Sequence, residues 1–387
     1  MKIAFIGQKG IPAVSGGVEK HVEDLATRLV LAGHEVLVYV RPNYTKGVSK
    51  EYRGVKLINL PTIGTKHLDA ITHTFLACLD IFFRKVDIVH FHSIGPSTLI
   101  WLVKILKPKT PIVATFHTQC YHHQKWGAFA RFYLKMGERA ICSLPDKTIT
   151  VSKVLTNYVH NNYNGSKVEY IPNGVLVEKI NSANEIARWK LEKDKYIVAI
   201  SRLVRHKGLH HLIHAYNHIV TDKKLVIVGD GSFTDDYVVE LHEMANKNSN
   251  IIFVGNQTGN TLKELLYNAY LFVQPSESEG LSIALLEAMA AGKPVLVSDI
   301  PENLEPIKNV GFIFENKNVN SLKEQLLYIL KNPELARVKG LAGIKIVENE
   351  YNWNVIMKNV EEIYLELIKK KHFFVFGLVK RFISLFL

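Results

Sequence analysis

Short apolar runs recur along the chain, and segments of helical periodicity separate most of them. In the first half they fall at residues 2–6, 36–40, 55–60, 88–92, 111–116 and 147–151. After a polar, charged stretch at 178–195 they resume at 196–200, 225–228, 251–254, 270–274 and 294–298. Runs this short and this continuously apolar suit strands buried on both faces. The intervening helices are expected near 18–32, where Val22, Leu25, Ala26 and Leu29 share a side, and near 208–220 and 261–268. Strands alternating with helices specify a parallel sheet covered by helices. A chain of 387 residues is too long for one ordinary core. The expectation is therefore an α/β protein of two Rossmann-like domains, residues 1–175 and 176–355, facing each other across a cleft. Ligands would bind at the carboxyl ends of the strands. A strand over 168–175 ending in the turn Pro172-Asn173-Gly174 closes the first domain, and residues 353–368 read as a regular helix.

Charge narrows the partners. Forty-eight Lys and Arg against 36 Asp and Glu give +12, which suits a phosphorylated substrate, an anionic membrane surface or nucleic acid. Three cysteines, Cys78, Cys120 and Cys142, without a CxxC pair, indicate neither a disulfide framework nor a structural zinc. The first apolar run stops at Gly7, too short for a secretory signal, and no stretch reaches the roughly 18 apolar residues of a membrane span. A cytoplasmic protein is expected.

The chemistry concentrates at 279–287, Glu-Gly-Leu-Ser-Ile-Ala-Leu-Leu-Glu, which leaves a strand and enters a short helix. Ser282 fits the N-cap and Gly292 lies just past the helix end. Backbone N–H groups there suit phosphate, and Glu279 and Glu287 suit sugar hydroxyls, a combination that points to a nucleotide sugar. The pair also admits a glycosidase acid and nucleophile, or two carboxylates that only cap or pair locally. Ser201-Arg202-Leu-Val-Arg205-His206-Lys207-Gly208 follows another strand. Arg202 and Lys207 suit the charge that develops on a departing diphosphate, which removes the need for a metal; alternatively the segment is a solvated basic turn.

Other motifs exclude more than they assign. Gly7-x-x-Gly10 is not GxGxxG, and the second strand ends at Arg41 rather than an acid, against a nicotinamide enzyme. Gly292-Lys293 lacks the upstream glycine of a P-loop. Gly16-Gly17 brings backbone close to a phosphate or acceptor, or simply turns the chain into a helix. His210, His214 and His218 recur at i, i+4, a spacing that suits zinc ligation, but no carboxylate or cysteine joins them on that face, and they read rather as a solvated helix face. His117 ends a strand, where it meets a ligand or sits as a core histidine. The segment 121–139, with Lys125, Trp126, Arg131, Phe132, Tyr133 and Lys135, lies on a membrane, holds a lipid-linked acceptor, or packs on the first sheet. Residues 369–387 carry five basic residues, no acid and eleven Phe, Leu, Ile and Val side chains, which suits an anionic lipid surface or a groove of the protein itself.

In order and spacing, Gly16-Gly17-Val-Glu-Lys-His, Gly33-His-Glu-Val, His117, Val151-Ser152, Pro172-Asn173-Gly174-Val, Ser201-Arg202-Leu, Lys207-Gly208, Val228-Gly-Asp-Gly231, Pro275-Ser276 and Glu279 through Met289 resemble glycosyltransferase family 4 over residues 1–368. These are retaining nucleotide-sugar transferases of GT-B architecture. The resemblance implies that a C-terminal helix, residues 356–371, crosses back to the N-terminal domain, leaving 372–387 as a tail and possible membrane anchor. It implies that Arg202 and Lys207 bind the donor diphosphate, that Glu287 holds the ribose hydroxyls, and that Glu279 meets the sugar with the N–H groups of Gly280, Leu281 and Ser282. Gly16 and Gly17 line the diphosphate and acceptor side, and His117 contacts the sugar. The chain has Phe-His-Thr-Gln at His117 where many relatives have His-Gly, and the first loop looks like that of bacterial polysaccharide and O-antigen enzymes. The implied function is hexosyl transfer from a nucleoside-diphosphate sugar to a glycan or lipid-linked acceptor, without metal or other cofactor and without nucleic acid, at the inner face of the cell membrane. Sugar-nucleotide epimerases, phosphorylases and non-catalytic sugar-nucleotide binders are the alternatives.

Overall fold

A computed structural model describes residues 1–44, 50–65, 68–122, 127–231 and 234–383. Lys125, Trp126 and the tail side chains from residue 372 onward lie outside the described residues. The chain divides into two units, Met1–Pro172 with Asn354–Leu387, and Asn173–Trp353.

The first unit is built on eight strands: β1 Lys2–Ile6, β2 Glu35–Val40, β3 Glu51–Tyr52, β4 Val55–Asn59, β5 Ile88–His92, β6 Ile112–Phe116, β7 Lys147–Thr150 and β8 Val168–Tyr170. They lie in the order β3-β4-β2-β1-β5-β6-β7-β8, parallel except for the short β3–β4 hairpin. Ile3, Phe5, Val36, Val38, Val89 and Phe91 are fully buried, as the unbroken apolar runs require. The strand expected over 168–175 stops at Tyr170, because Pro172 has no N–H to give a ladder.

The second unit holds six parallel strands: β9 Tyr196–Ile200, β10 Lys224–Val228, β11 Ile251–Phe253, β12 Leu271–Gln274, β13 Val295–Ser298 and β14 Phe312–Phe314. Their order, β11-β10-β9-β12-β13-β14, is the Rossmann order. Gly174 enters this unit against the indole of Trp353, and the Val175 N–H donates to Tyr351 O at 2.8 Å. The helix expected near 208–220 is Leu209–Tyr216, so His218 lies beyond it.

The last helix returns to the first unit, as the family resemblance implied. It runs unbroken from Trp353 to Ile383, longer than the expected 353–368, since no proline interrupts it and the apolar tail keeps helical backbone. Within the first unit it is fastened by Tyr364 OH to His90 Nδ1 at 2.6 Å and by Glu361 to His34 Nε2 at 2.6 Å. Lys371 reaches Asp146 at 3.5 Å. No helix among the described residues is long and apolar enough to cross a membrane.

Candidate active site

In the second unit the strand order reverses between β9 and β12, so the loops that follow these two strands leave in opposite directions and open a crevice. The first loop carries Arg202 and Lys207, the second Glu279. They are locked together by backbone: the Glu277 N–H donates to His206 O at 2.8 Å. Gly208 has φ +67°, and any Cβ there would stand 1.9 Å from Pro275 O, so only glycine permits the approach. The result is an ion pair between Lys207 Nζ and Glu279 Oε1, with side chains only 15% and 8% exposed.

The second loop ends in a capped helix, Ile283–Ala290. Ser282 Oγ accepts from the Leu285 N–H at 3.3 Å and donates to Gln274 Oε1 at 2.6 Å, while Asn173 Nδ2 donates to Leu281 O at 2.9 Å. Gly280, Leu281 and Ser282 are thereby fixed at the positive end of the helix. Glu287 lies half-buried in the second turn, about 6 Å further along the axis at 1.5 Å per residue. Arg202 is half-buried in the same loop as Lys207, where the Leu203 N–H donates to Asp230 O at 2.8 Å. His214 and His218 are exposed and stack on each other at 4.8 Å, but His210 is half-buried with Nδ1 2.8 Å from Tyr237 OH, so the solvated helix face expected of all three holds for His214 and fails for His210, and His218 lies past the helix end.

In the first unit the reversal falls between β1 and β5. Gly16, with φ +102°, caps the helix Gly17–Leu31; a Cβ there would meet Glu19 Oε2 at 2.2 Å. Two carboxylates of that helix hold the preceding loop. Glu19 accepts from the Lys9 N–H at 3.1 Å and Glu23 from the Ala13 N–H at 2.6 Å. His117, one residue past β6, is 6% exposed, and its Nε2 lies 3.2 Å from His92 Nδ1. His92 in turn stacks on His90 at 4.3 Å, and the His21 ring lies 5.0 Å from that of His117. Burial, reinforced by the neighbouring histidines, pushes His90, His92 and His117 well below the ordinary imidazole value, so all three are neutral.

The sequence alone does not mark His21, His90, His92 or Glu277 as site residues. A signal for three of them existed. His90-Phe-His92 places both imidazoles on one strand face, and His21 closes the Gly16-Gly17 motif. The helix Ala128–Ser143 buries Leu134, Ile141 and Cys142 yet leaves Phe129, Phe132 and Met136 82%, 63% and 51% exposed. It packs on one side and presents an apolar stripe on the other.

Residues 15–179 match Glycosyltransferase Family 4, and residues 181–345 match Glycosyl transferases group 1. The chain belongs to the family 4 glycosyltransferases. An uncharacterised glycosyltransferase of Methanocaldococcus jannaschii is 28% identical over 94% of this chain and 98% of its own length. The Escherichia coli UDP-Gal:alpha-D-GlcNAc-diphosphoundecaprenol alpha-1,3-galactosyltransferase is 26% identical over 74% of this chain and 77% of its own. Sucrose-phosphate synthase from Thermosynechococcus elongatus shares the fold, with a TM-score of 0.82 at 23% identity over 95% of this chain and 99% of that one. The fold of this glycosyltransferase is thus GT-B, and both Rossmann-like units belong to it.

Proposed function

We propose that this glycosyltransferase moves a hexose from a nucleoside-diphosphate sugar to a glycan or lipid-linked acceptor, with retention at the anomeric carbon. The observation that carries the reading is the Lys207–Glu279 pair, held at the N-terminus of the helix Ile283–Ala290 where the strand order reverses. Lys207 and Arg202 meet the diphosphate, and the N–H groups of Gly280, Leu281 and Ser282 add the helix end. Glu279 accepts from sugar hydroxyls, and Glu287, about 6 Å along the helix axis from its first residue Ile283, accepts from the ribose. Two cations and a helix end supply the charge that a divalent ion would otherwise supply, so the transfer step runs without metal. In the first unit, His117 serves the sugar, and Gly16 and Gly17 serve the phosphate and acceptor.

Retention follows if the acceptor hydroxyl attacks the face that the diphosphate leaves. The C1–O bond to phosphate breaks with its electron pair going to the phosphate oxygen. The acceptor oxygen bonds C1 and its proton passes to that same phosphate. The E. coli relative acts, by its name, on a diphosphoundecaprenol substrate with an alpha linkage, which supports a lipid-linked acceptor for this chain. Peripheral attachment at the cytoplasmic face rests on the basic, apolar tail and on Phe129, Phe132 and Met136, flanked by exposed Arg131, Lys135 and Arg139. Deleting residues 372–387 is expected to release the protein from anionic liposomes; unchanged binding refutes the attachment.

A thermal-shift screen against UDP-, GDP-, ADP- and dTDP-sugars tests the donor. One base should stabilise the wild type, by about 2.7 kcal/mol at one hundred times Kd, and Glu287→Ala should abolish the shift. No shift with any donor, or full transfer by Glu287→Ala, sinks the assignment.

A further inference from the structure

We propose that His210, His211 and Glu277 form a binding site for a divalent cation of the zinc class on the second unit. His210 and His211 open the helix Leu209–Tyr216, and Glu277 stands on the loop after β12. One ligand atom from each lies within 4.8 Å of the others. His211 Nε2 and Glu277 Oε1 are already 3.3 Å apart. That is the spacing between two ligands of a tetrahedral ion with bonds of about 2.0–2.1 Å, roughly 3.3 Å.

The surroundings suit such an ion. Tyr237 OH lies 2.8 Å from His210 Nδ1, so that nitrogen is engaged and Nε2 is left as the ligand, the outer-sphere arrangement that fixes the tautomer of metal-bound histidines. Glu277 supplies the negative charge. Its other oxygen, Oε2, is held by Lys317 at 3.2 Å, which makes it a one-oxygen ligand. The His211 and Glu277 side chains keep 16% and 15% of their surface in solvent, leaving a fourth position for water. The backbone is fastened on both sides, by the Glu277 N–H to His206 O and by the approach of Gly208 to Pro275.

The buried group His21, His92 and His117 also brings three ligand atoms together. It has no carboxylate among those three to offset a doubly charged ion and is closed to solvent, so it is the poorer host. The proposed ion would tie together the two loops that carry Lys207 and Glu279 while taking no part in the transfer step. Its existence does not depend on the donor assignment.

Chelator-treated, full-length protein titrated with Co²⁺, followed by visible absorbance and by Zn²⁺ competition, tests the site. One Co²⁺ per chain is expected, displaced by one Zn²⁺. Glu277→Gln and His211→Asn should weaken binding at least tenfold, and Tyr237→Phe about 10- to 100-fold, with His214→Ala unchanged. Far-ultraviolet circular dichroism and melting of each variant establish that it is folded, and Tyr237→Phe, which keeps all three ligands, serves if a ligand variant fails to fold. Absence of stoichiometric Co²⁺ binding overturns the proposal, and so does binding that survives both Glu277→Gln and Tyr237→Phe.

Discussion

Replacing Lys207 by Met separates what the Lys207–Glu279 pair does for the fold from what it does for the reaction. The two side chains are 15% and 8% exposed, so the pair counts as buried. Removing one member of a buried pair leaves a desolvated charge without its counterion, at a cost of about 3–5 kcal/mol. Lys207→Met is expected to destabilise the protein by that amount, and Glu279→Gln similarly. The double variant, in which both charges are gone, should be more stable than either single variant, so the coupling should exceed one single loss of about 3–5 kcal/mol. Transfer should behave differently. If Lys207 stabilises charge on the departing diphosphate, its loss lowers kcat/KM about 10²- to 10³-fold, and the double variant recovers none of it. Chemical denaturation and nucleoside-diphosphate release, measured on all four proteins, give both cycles. Transfer restored together with stability in the double variant would show that the lysine only supports the loop. Single variants as stable as wild type would show that the pair is not buried in solution.

Gly208→Ala should destabilise by more than about 1 kcal/mol and reduce donor affinity, because the new Cβ must push Pro275 O away from 1.9 Å and separate the two loops; unaltered melting and donor binding would contradict this. Acid should also destabilise the first unit. His73, lowered to about 4 chiefly by burial, and His90, His92 and His117, lowered well below their ordinary value, stay neutral when folded, whereas the unfolded chain takes up protons below about 6.5. The unfolded state then binds more protons, so stability falls with falling pH below about 6.5, by about 1.4 kcal/mol per pH unit for each histidine. A melting temperature that is flat or rises between pH 7 and 5.5 would refute it.

Much of the fold was legible because buried parallel strands write themselves as continuous apolar runs. Residues 2–6, 88–92 and 196–200 needed no adjustment. What failed is equally physical. β3, with two residues, is too short to carry a periodicity, β14 is three residues with the middle one exposed, and β8 ends short of the proline that the expected 168–175 strand runs across. Within the site, Ser282 was identifiable as a cap because capping is local chemistry, and Lys207 and Glu279 stood out as charges on loops between apolar runs. That these two form one ion pair was not legible, since 71 residues lie between them and no local rule relates their loops.

The sequence by itself determined the alternation of strands and helices, the polar break between the two units, the capped helix after Ser282 and the chemical types gathered beside it. These depend on apolar period, turn residues and capping, all written within a few neighbours. Only the tertiary structure decided the strand orders that place each crevice, the Tyr364–His90 contact that fastens the last helix, and the histidine neighbours of His117. It also decided that Glu277, rather than a residue on the same helix face, stands opposite His211. Those outcomes follow from which loops the sheet brings side by side, and that is fixed by packing across the whole unit rather than by any short stretch of chain.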